Sequence, residues 1–268
     1  MRKSFWKYLL LFLAGQFIGM LAAVVFGVFE GVLSRVSATP VGEGYDSIVY
    51  ALPLLVANTF IIALFFMLCP SDVHWATLVS GWQKPRLNTT MRYVIAALGL
   101  IPCVNILQEL LLSWLPDWVG TQNLNIILSH PIGLFTVCLL GPVAEELVFR
   151  AGMLRLPEAD GAPLGMRAIV ISSLLFALVH FNPAQMPAAF VIGLLLGTAY
   201  WQTRSLAAPV AIHVLNNSLA VVVGLTSSSD STITGLLGGH GPAIMVAFAG
   251  LFWAFLWLKS DFSIYNKV

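Results

Sequence analysis

Apolar residues run along this chain in long blocks separated by polar stretches. The first block reads FWKYLLLFLAGQFIGMLAAVVFGVF over residues 5–29. Blocks of this kind predict helices at about residues 6–28, 48–69, 93–115, 132–154, 167–181, 187–203, 206–224 and 241–258. A hydrocarbon core takes about 20 apolar residues per helical crossing. The block at 167–181 is short for that, which suits a tilted helix or one that spans only part of the bilayer. The first block exceeds the roughly 7–15 apolar residues of a signal peptide, so it reads as a retained helix. Longer connections fall at 29–47, 70–92, 116–131 and 225–240, and LTSSSDSTITG at 225–235 reads as a flexible surface loop. With no visible repeat and no soluble second domain, residues 1–268 read as one polytopic membrane domain.

Composition agrees with this pattern. Hydrophobic residues make up 59% of the chain and charged residues 9%, against about 25% charged in soluble domains. So few charges cannot coat a water-facing surface. The formal net charge is +1, with no basic tail, so nucleic acid is not expected as a partner. Cys69, Cys103 and Cys138 lie in or beside apolar segments without a CxxC pair, and read as packing residues.

The basic residues orient the helices. With the N-terminus in the cytoplasm and eight crossings, one side collects Arg2, Lys3, Lys7, Lys84, Arg86, Arg92, Arg150, Arg155, Arg167, Arg204, Lys259 and Lys267; the other holds only Arg35. The expected fold is therefore an all-α integral membrane bundle of about eight transmembrane helices with both termini cytoplasmic.

Polar groups in hydrocarbon cost several kcal/mol unless paired, so each needs a reason. The fourth block carries GPVAEELVFR at 141–150. Glu146 and Arg150, four apart, share a helix face and suit an ion pair. Glu145 is rotated about 100° away, and is expected to be the carboxylate directed to chemistry. The fifth block carries Phe176 and, one turn on, His180; the seventh carries His213 and, four on, Asn217, with Asn216 beside it. Singly, such residues are as often interhelical packing contacts. Counted inward from the nearest cytoplasmic basic residue at about 1.5 Å each, Glu145 lies about 15 Å deep, His180 about 20 Å, His213 about 14 Å and Asn217 about 20 Å. Polar residues converging on one depth suggest a site, reached by water from the cytoplasmic side. Asn105, Gln108 and Glu109 in the third block read as interfacial or packing residues, Pro102 predicts a kink there, and Gly193 with Gly197 reads as a close-packing face. His74, His130 and His240 fall in loops and receive no role.

A carboxylate, two histidines and an amide suit water activation. Glu145 would act as general base, His180 would hold the water, and His213 and Asn217 would donate hydrogen bonds to an oxyanion. The same Glu145, His180 and His213 would also serve as zinc ligands. The spacing does not choose between zinc and no metal.

These residues resemble a known family. Glu145-Glu146-x-x-x-Arg150, Phe176-x-x-x-His180 and His213-x-x-x-Asn217 look like the three ordered motifs of the CAAX-prenyl-protease and bacteriocin-processing (CPBP, or Abi) intramembrane protease family, over about residues 130–222. The resemblance implies an eight-helix fold and an endopeptidase working within the bilayer on a membrane-associated peptide or protein, prenylated in the CAAX-type members. It implies Glu145 as catalytic base, His180, His213 and Asn217 around the water and oxyanion, and Glu146 and Arg150 in support. The family is described both as metal-dependent and as a glutamate protease. The lean chain looks like a prokaryotic member, placed in the cell membrane. Two other readings use the same polar groups: an ion- or proton-coupled transporter, and a non-catalytic immunity or binding protein on this scaffold.

Overall fold

A computed structural model describes residues 3–36, 43–68, 80–84, 86–112, 114–118, 121–154, 166–226 and 233–262. Among them the chain is helical, without strands. In chain order the helices are α1 (Lys3–Val36), α2 (Glu43–Leu68), α3 (Leu87–Leu112), α4 (Thr121–Leu128), α5 (Pro131–Met153), α6 (Met166–Leu178), α7 (Met186–Thr203), α8 (Ala207–Thr226), α9 (Ile233–Leu236) and α10 (His240–Phe262). Every predicted block has its helix. The additions are α4 and α9, short helices inside stretches expected to be connections. The expected flexible loop at 225–235 is thus partly helical, and its residues 227–232 lie outside the described ones.

Five described helices are long and apolar enough to cross a membrane: Trp6–Phe29, Ile48–Leu68, Leu87–Leu112, Pro131–Met153 and His240–Lys259. Met166–Leu178 and Ala207–Val223 are shorter apolar helices. Between their polar ends, which expose Lys7, His240 and Lys259, α1 and α10 expose large apolar residues, among them Leu10, Phe17, Val24, Phe248 and Phe252, as a surface against hydrocarbon requires. The chain is a multi-pass membrane protein.

It divides into two compact units. The first comprises Met1–Val73 and Val119–Arg155, the second His74–Trp118 and Leu156–Val268. In the first unit, Lys7 of α1 donates to the carbonyl of Leu68 at the end of α2 (2.8 Å), so these helices run antiparallel. Small residues let them approach: a Cβ on Gly19 would stand 2.7 Å from that of Ala57. Helix α5 packs on α1 through Phe12 and Phe149, whose rings meet edge to face at 5.2 Å. Gly152 leaves room for the Tyr8 ring, 2.6 Å from where its Cβ would be.

In the second unit, α3, α7 and α8 share a core that includes Tyr93, Ile101, Ile192, Leu196 and Ile212. Helix α10 lies antiparallel on α3: Trp253 Nε1 donates to the Ile95 carbonyl (2.8 Å) and Cys103 Sγ to that of Ala247 (3.0 Å). Gly99 and Gly250 bring the two backbones into contact, so Cys103 is a packing residue as expected. Cys138 is half-buried, and Cys69 lies outside the described residues. The turn before α3 is tied to the α7–α8 junction, because the Gly81 N–H donates to Ser205 Oγ (3.0 Å) and Thr90 Oγ1 to the Gly81 carbonyl (2.8 Å). These directions gather Arg86, Arg92, Arg167, Arg204 and Lys259 at one end of the unit. At its other end the described residues include no Lys or Arg.

Candidate active site

The first motif sits on an irregular helix. Within α5, wide π turns at Thr136–Leu140 and Leu147–Met153 flank a regular stretch, Gly141–Glu146. The first wide turn closes with the Gly141 N–H donating to the Thr136 carbonyl. It comes just before Pro142, which has no N–H and whose ring would press on the carbonyl four residues back in a regular helix. Such π turns are rare and concentrate at functional sites. At the start of α5, His130, expected in a loop without a role, caps the helix: its Nδ1 accepts from the Ile132 N–H at 3.1 Å.

Glu146 and Arg150 form the expected ion pair, Arg150 Nη1 to Glu146 Oε1 at 3.0 Å, with both side chains fully buried. Glu145 is half-buried. Arg155, from which the depth of Glu145 is counted, lies outside the described residues.

The second and third motifs lie in the other unit and meet at one ring. Phe176, buried in α6, stands edge to face with His180 at 5.0 Å and with His213 of α8 at 5.5 Å. His213 is buried as well. Room for Phe176 depends on Gly193 of α7, where a Cβ would lie 3.0 Å from the Ser173 Cβ and 3.3 Å from Phe176 Cδ1. The expected close-packing face is therefore real at Gly193.

The expectation that His180 lies within a helix at 167–181 is corrected: α6 ends at Leu178 and His180 follows in a turn. Its N–H donates to the Ala177 carbonyl (3.3 Å), and Phe181 turns into the left-handed region at φ 49°. The apolar run continues to Phe181 and hides this end, but Asn182-Pro183 is a turn signal that marks it. His180 Nδ1 lies 2.7 Å from the Phe176 carbonyl oxygen. A carbonyl oxygen only accepts, so Nδ1 carries the proton, and in the neutral form of such a ring the lone pair is on Nε2. That atom can accept a hydrogen bond from water or bind a cation.

Asn216 Nδ2 donates to Asn217 Oδ1 at 3.2 Å. Glu109 is a loop anchor: it accepts from the backbone N–H of Thr234 (3.2 Å) and from its hydroxyl. Asn105 donates to the carbonyl one turn back, at Ile101 (2.8 Å).

Pattern reading missed Asn182, two residues after His180, and its partner Asp117. Buried Asn182 donates from Nδ2 to Asp117 Oδ1 (2.8 Å), and its Oδ1 accepts the Trp118 N–H (3.3 Å).

Residues 127–219, which carry all three motifs, match the family described as Type II CAAX prenyl endopeptidase Rce1-like. The resemblance read from the motifs is borne out. The membrane-embedded CAAX protease MroQ of Staphylococcus aureus (strain USA300) is 38% identical over 113 residues, covering 40% of this chain and 45% of that protein. CAAX prenyl protease 2 of Arabidopsis thaliana is 26% identical over 206 residues, covering 63% of this chain and 66% of that protein. The chain thus spans less than two thirds of either relative. No solved structure matches it significantly.

Proposed function

We propose that this protein is an intramembrane endopeptidase that cuts a peptide bond in a membrane-associated peptide or protein. The observation that carries the reading is the family match over the segment holding all three motifs. The pairing of both motif histidines with Phe176 supports it. Relatives named as CAAX proteases point to a C-terminal, prenylated peptide as the first substrate class to try.

In the proposed reaction Glu145 takes a proton from water as the water oxygen bonds to the scissile carbonyl. His180 accepts a hydrogen bond from that water at Nε2 and fixes its position. His213 and Asn217 donate to the oxyanion that forms. The proton held by Glu145 then passes to the leaving nitrogen as the C–N bond breaks. Glu146 and Arg150 hold the helix turn that presents Glu145. The metal-assisted alternative would need Glu145, His180 and His213 to hold a divalent ion, whose contribution is to lower the pKa of bound water; among the described residues no three His, Cys, Asp or Glu side chains are grouped to hold one.

The proposed topology has eight crossings with both termini in the cytoplasm of a prokaryotic cell, and the basic end of the second unit lies on that side. Single cysteines placed in loops 29–47 and 225–240 should label from outside, and in 70–92 from inside. The reverse pattern would overturn it.

Activity is tested in liposomes with quenched-fluorescent peptides, prenylated CAAX and unmodified, with and without a zinc chelator. Cleavage supports the protease reading, and the chelator separates metal-assisted from metal-free chemistry. Ion flux without cleavage of any peptide would replace it with the transporter reading.

A further inference from the structure

His180 is held in an unusual way for a residue meant to position a water. It follows the last turn of α6 and precedes Phe181, a bulky residue at φ 49°. A left-handed backbone at such a residue is strained and persists only when its surroundings over-determine it. On the N-terminal side, the constraint is the His180 Nδ1–H bond to the Phe176 carbonyl. On the C-terminal side it is Asn182, which is 1% exposed. Its backbone carbonyl accepts from the N–H groups of Gln185 (2.9 Å) and Met186 (3.1 Å), starting α7. Its side chain reaches across 65 residues of sequence to Asp117, and also takes the Trp118 N–H. Asn182 thus joins the end of α6, the start of α7 and the segment after α3 at one buried amide. An amide suits the place because it must donate to a carboxylate and accept from a backbone N–H at once.

We propose that Asn182, through Asp117 and Trp118, is the positioning residue that holds the His180 turn and so keeps the His180 ring in its Nδ1-protonated form with Nε2 available. The catalytic consequence rests on the protease reading; the structural one does not. Releasing the amide lets Phe181 relax toward ordinary φ values, and the His180 ring then leaves the Phe176 carbonyl. A reacting group misplaced by about 1 Å costs up to about 100-fold in rate.

The test uses the full chain in bilayer mimetics with ¹⁵N-labelled histidine, the His180 signals being assigned by loss in His180→Gln. In the wild type, His180 shows a protonated Nδ1 and an unprotonated Nε2. In Asn182→Ala this pattern gives way to a mixture of tautomers, and kcat for the cleaved peptide falls by tenfold or more with KM little changed. The exchanged pair, Asp117→Asn with Asn182→Asp, rebuilds a donor–acceptor contact in the opposite sense and restores both readouts. Asn182→Asp alone sets two carboxylates against each other and does not. If Asn182→Ala fails to fold, the last two variants carry the same comparison. An unchanged His180 tautomer in a folded Asn182 variant overturns the proposal, whatever the activity. A wild type that cleaves no peptide removes the protease reading and leaves the nitrogen signals to decide this one.

Discussion

The Glu146–Arg150 pair and the Phe176 group are held by opposite means. In α5 two opposite charges four residues apart on one helix meet at 3.0 Å, fully buried. Nothing distant in sequence is needed to form that contact. In the second unit, Phe176 meets His180 from its own chain segment and His213 from α8. Gly193 on α7 makes the space, and Asn182 fixes the turn from 65 residues away. A local charge pair tolerates little change in its own two residues. A tertiary aromatic group depends on several helices, each contributing a little. Substitutions should separate the two designs.

The largest effect is expected at the charge pair. Arg150→Ala strands a buried carboxylate, and breaking one half of such a pair costs about 3–5 kcal/mol. Unfolding in mixed micelles should show it. Glu146→Leu with Arg150→Met, which removes both charges, should recover much of that loss. If the single and double variants are equally unstable, the pair acts through packing alone.

At the aromatic group the steps are smaller. Gly193→Ala introduces a methyl 3.0 Å from Ser173 Cβ and 3.3 Å from Phe176 Cδ1, and overpacking of this kind costs about 1–3 kcal/mol. Cleavage should fall along with stability, because Phe176 moves against both histidines. Stability that falls with turnover intact would detach Phe176 from the site. Phe176→Leu keeps most of the volume and loses the two edge-to-face contacts, each worth about 0.5–1.5 kcal/mol. We expect modest destabilisation and a larger drop in turnover.

The smallest effect should come from Thr234→Val, which removes the hydroxyl bond to Glu109 but leaves the backbone one. A net hydrogen bond to a charged group is worth about 1.5–3 kcal/mol, and loss of one of several donors should fall at or below the low end. Cleavage should be unchanged. A clear loss of activity would bring Glu109 into the chemistry, against the packing reading of its sequence position.

What the sequence makes legible follows the same division. Long apolar blocks locate the main helices because a bilayer demands length and hydrophobicity alone. Glu146–Arg150 is readable because four-residue spacing is itself the geometry. The end of α6 is not readable from hydrophobicity, since apolar residues continue through Val179 and Phe181 on either side of His180. Only Asn182-Pro183 marks it. The π turns of α5 are half legible: Pro142 predicts a disturbance, but not that the helix widens. The contacts of Phe176 with His213 and of Asn182 with Asp117 are tertiary, and no spacing rule reaches them. Helix α4 escapes notice because its residues, TQNLNIIL, mix polar and apolar positions in only eight residues.

The most direct measurement of the central claim compares wild type with Glu145→Ala, both reconstituted and shown to be folded, on a quenched-fluorescent peptide that the wild type cuts. We expect cleavage by the wild type and a loss in Glu145→Ala on the order of 10²–10⁴-fold, the usual contribution of a positioned general base. Cleavage that continues at the wild-type rate in Glu145→Ala would contradict Glu145 as the residue that activates water.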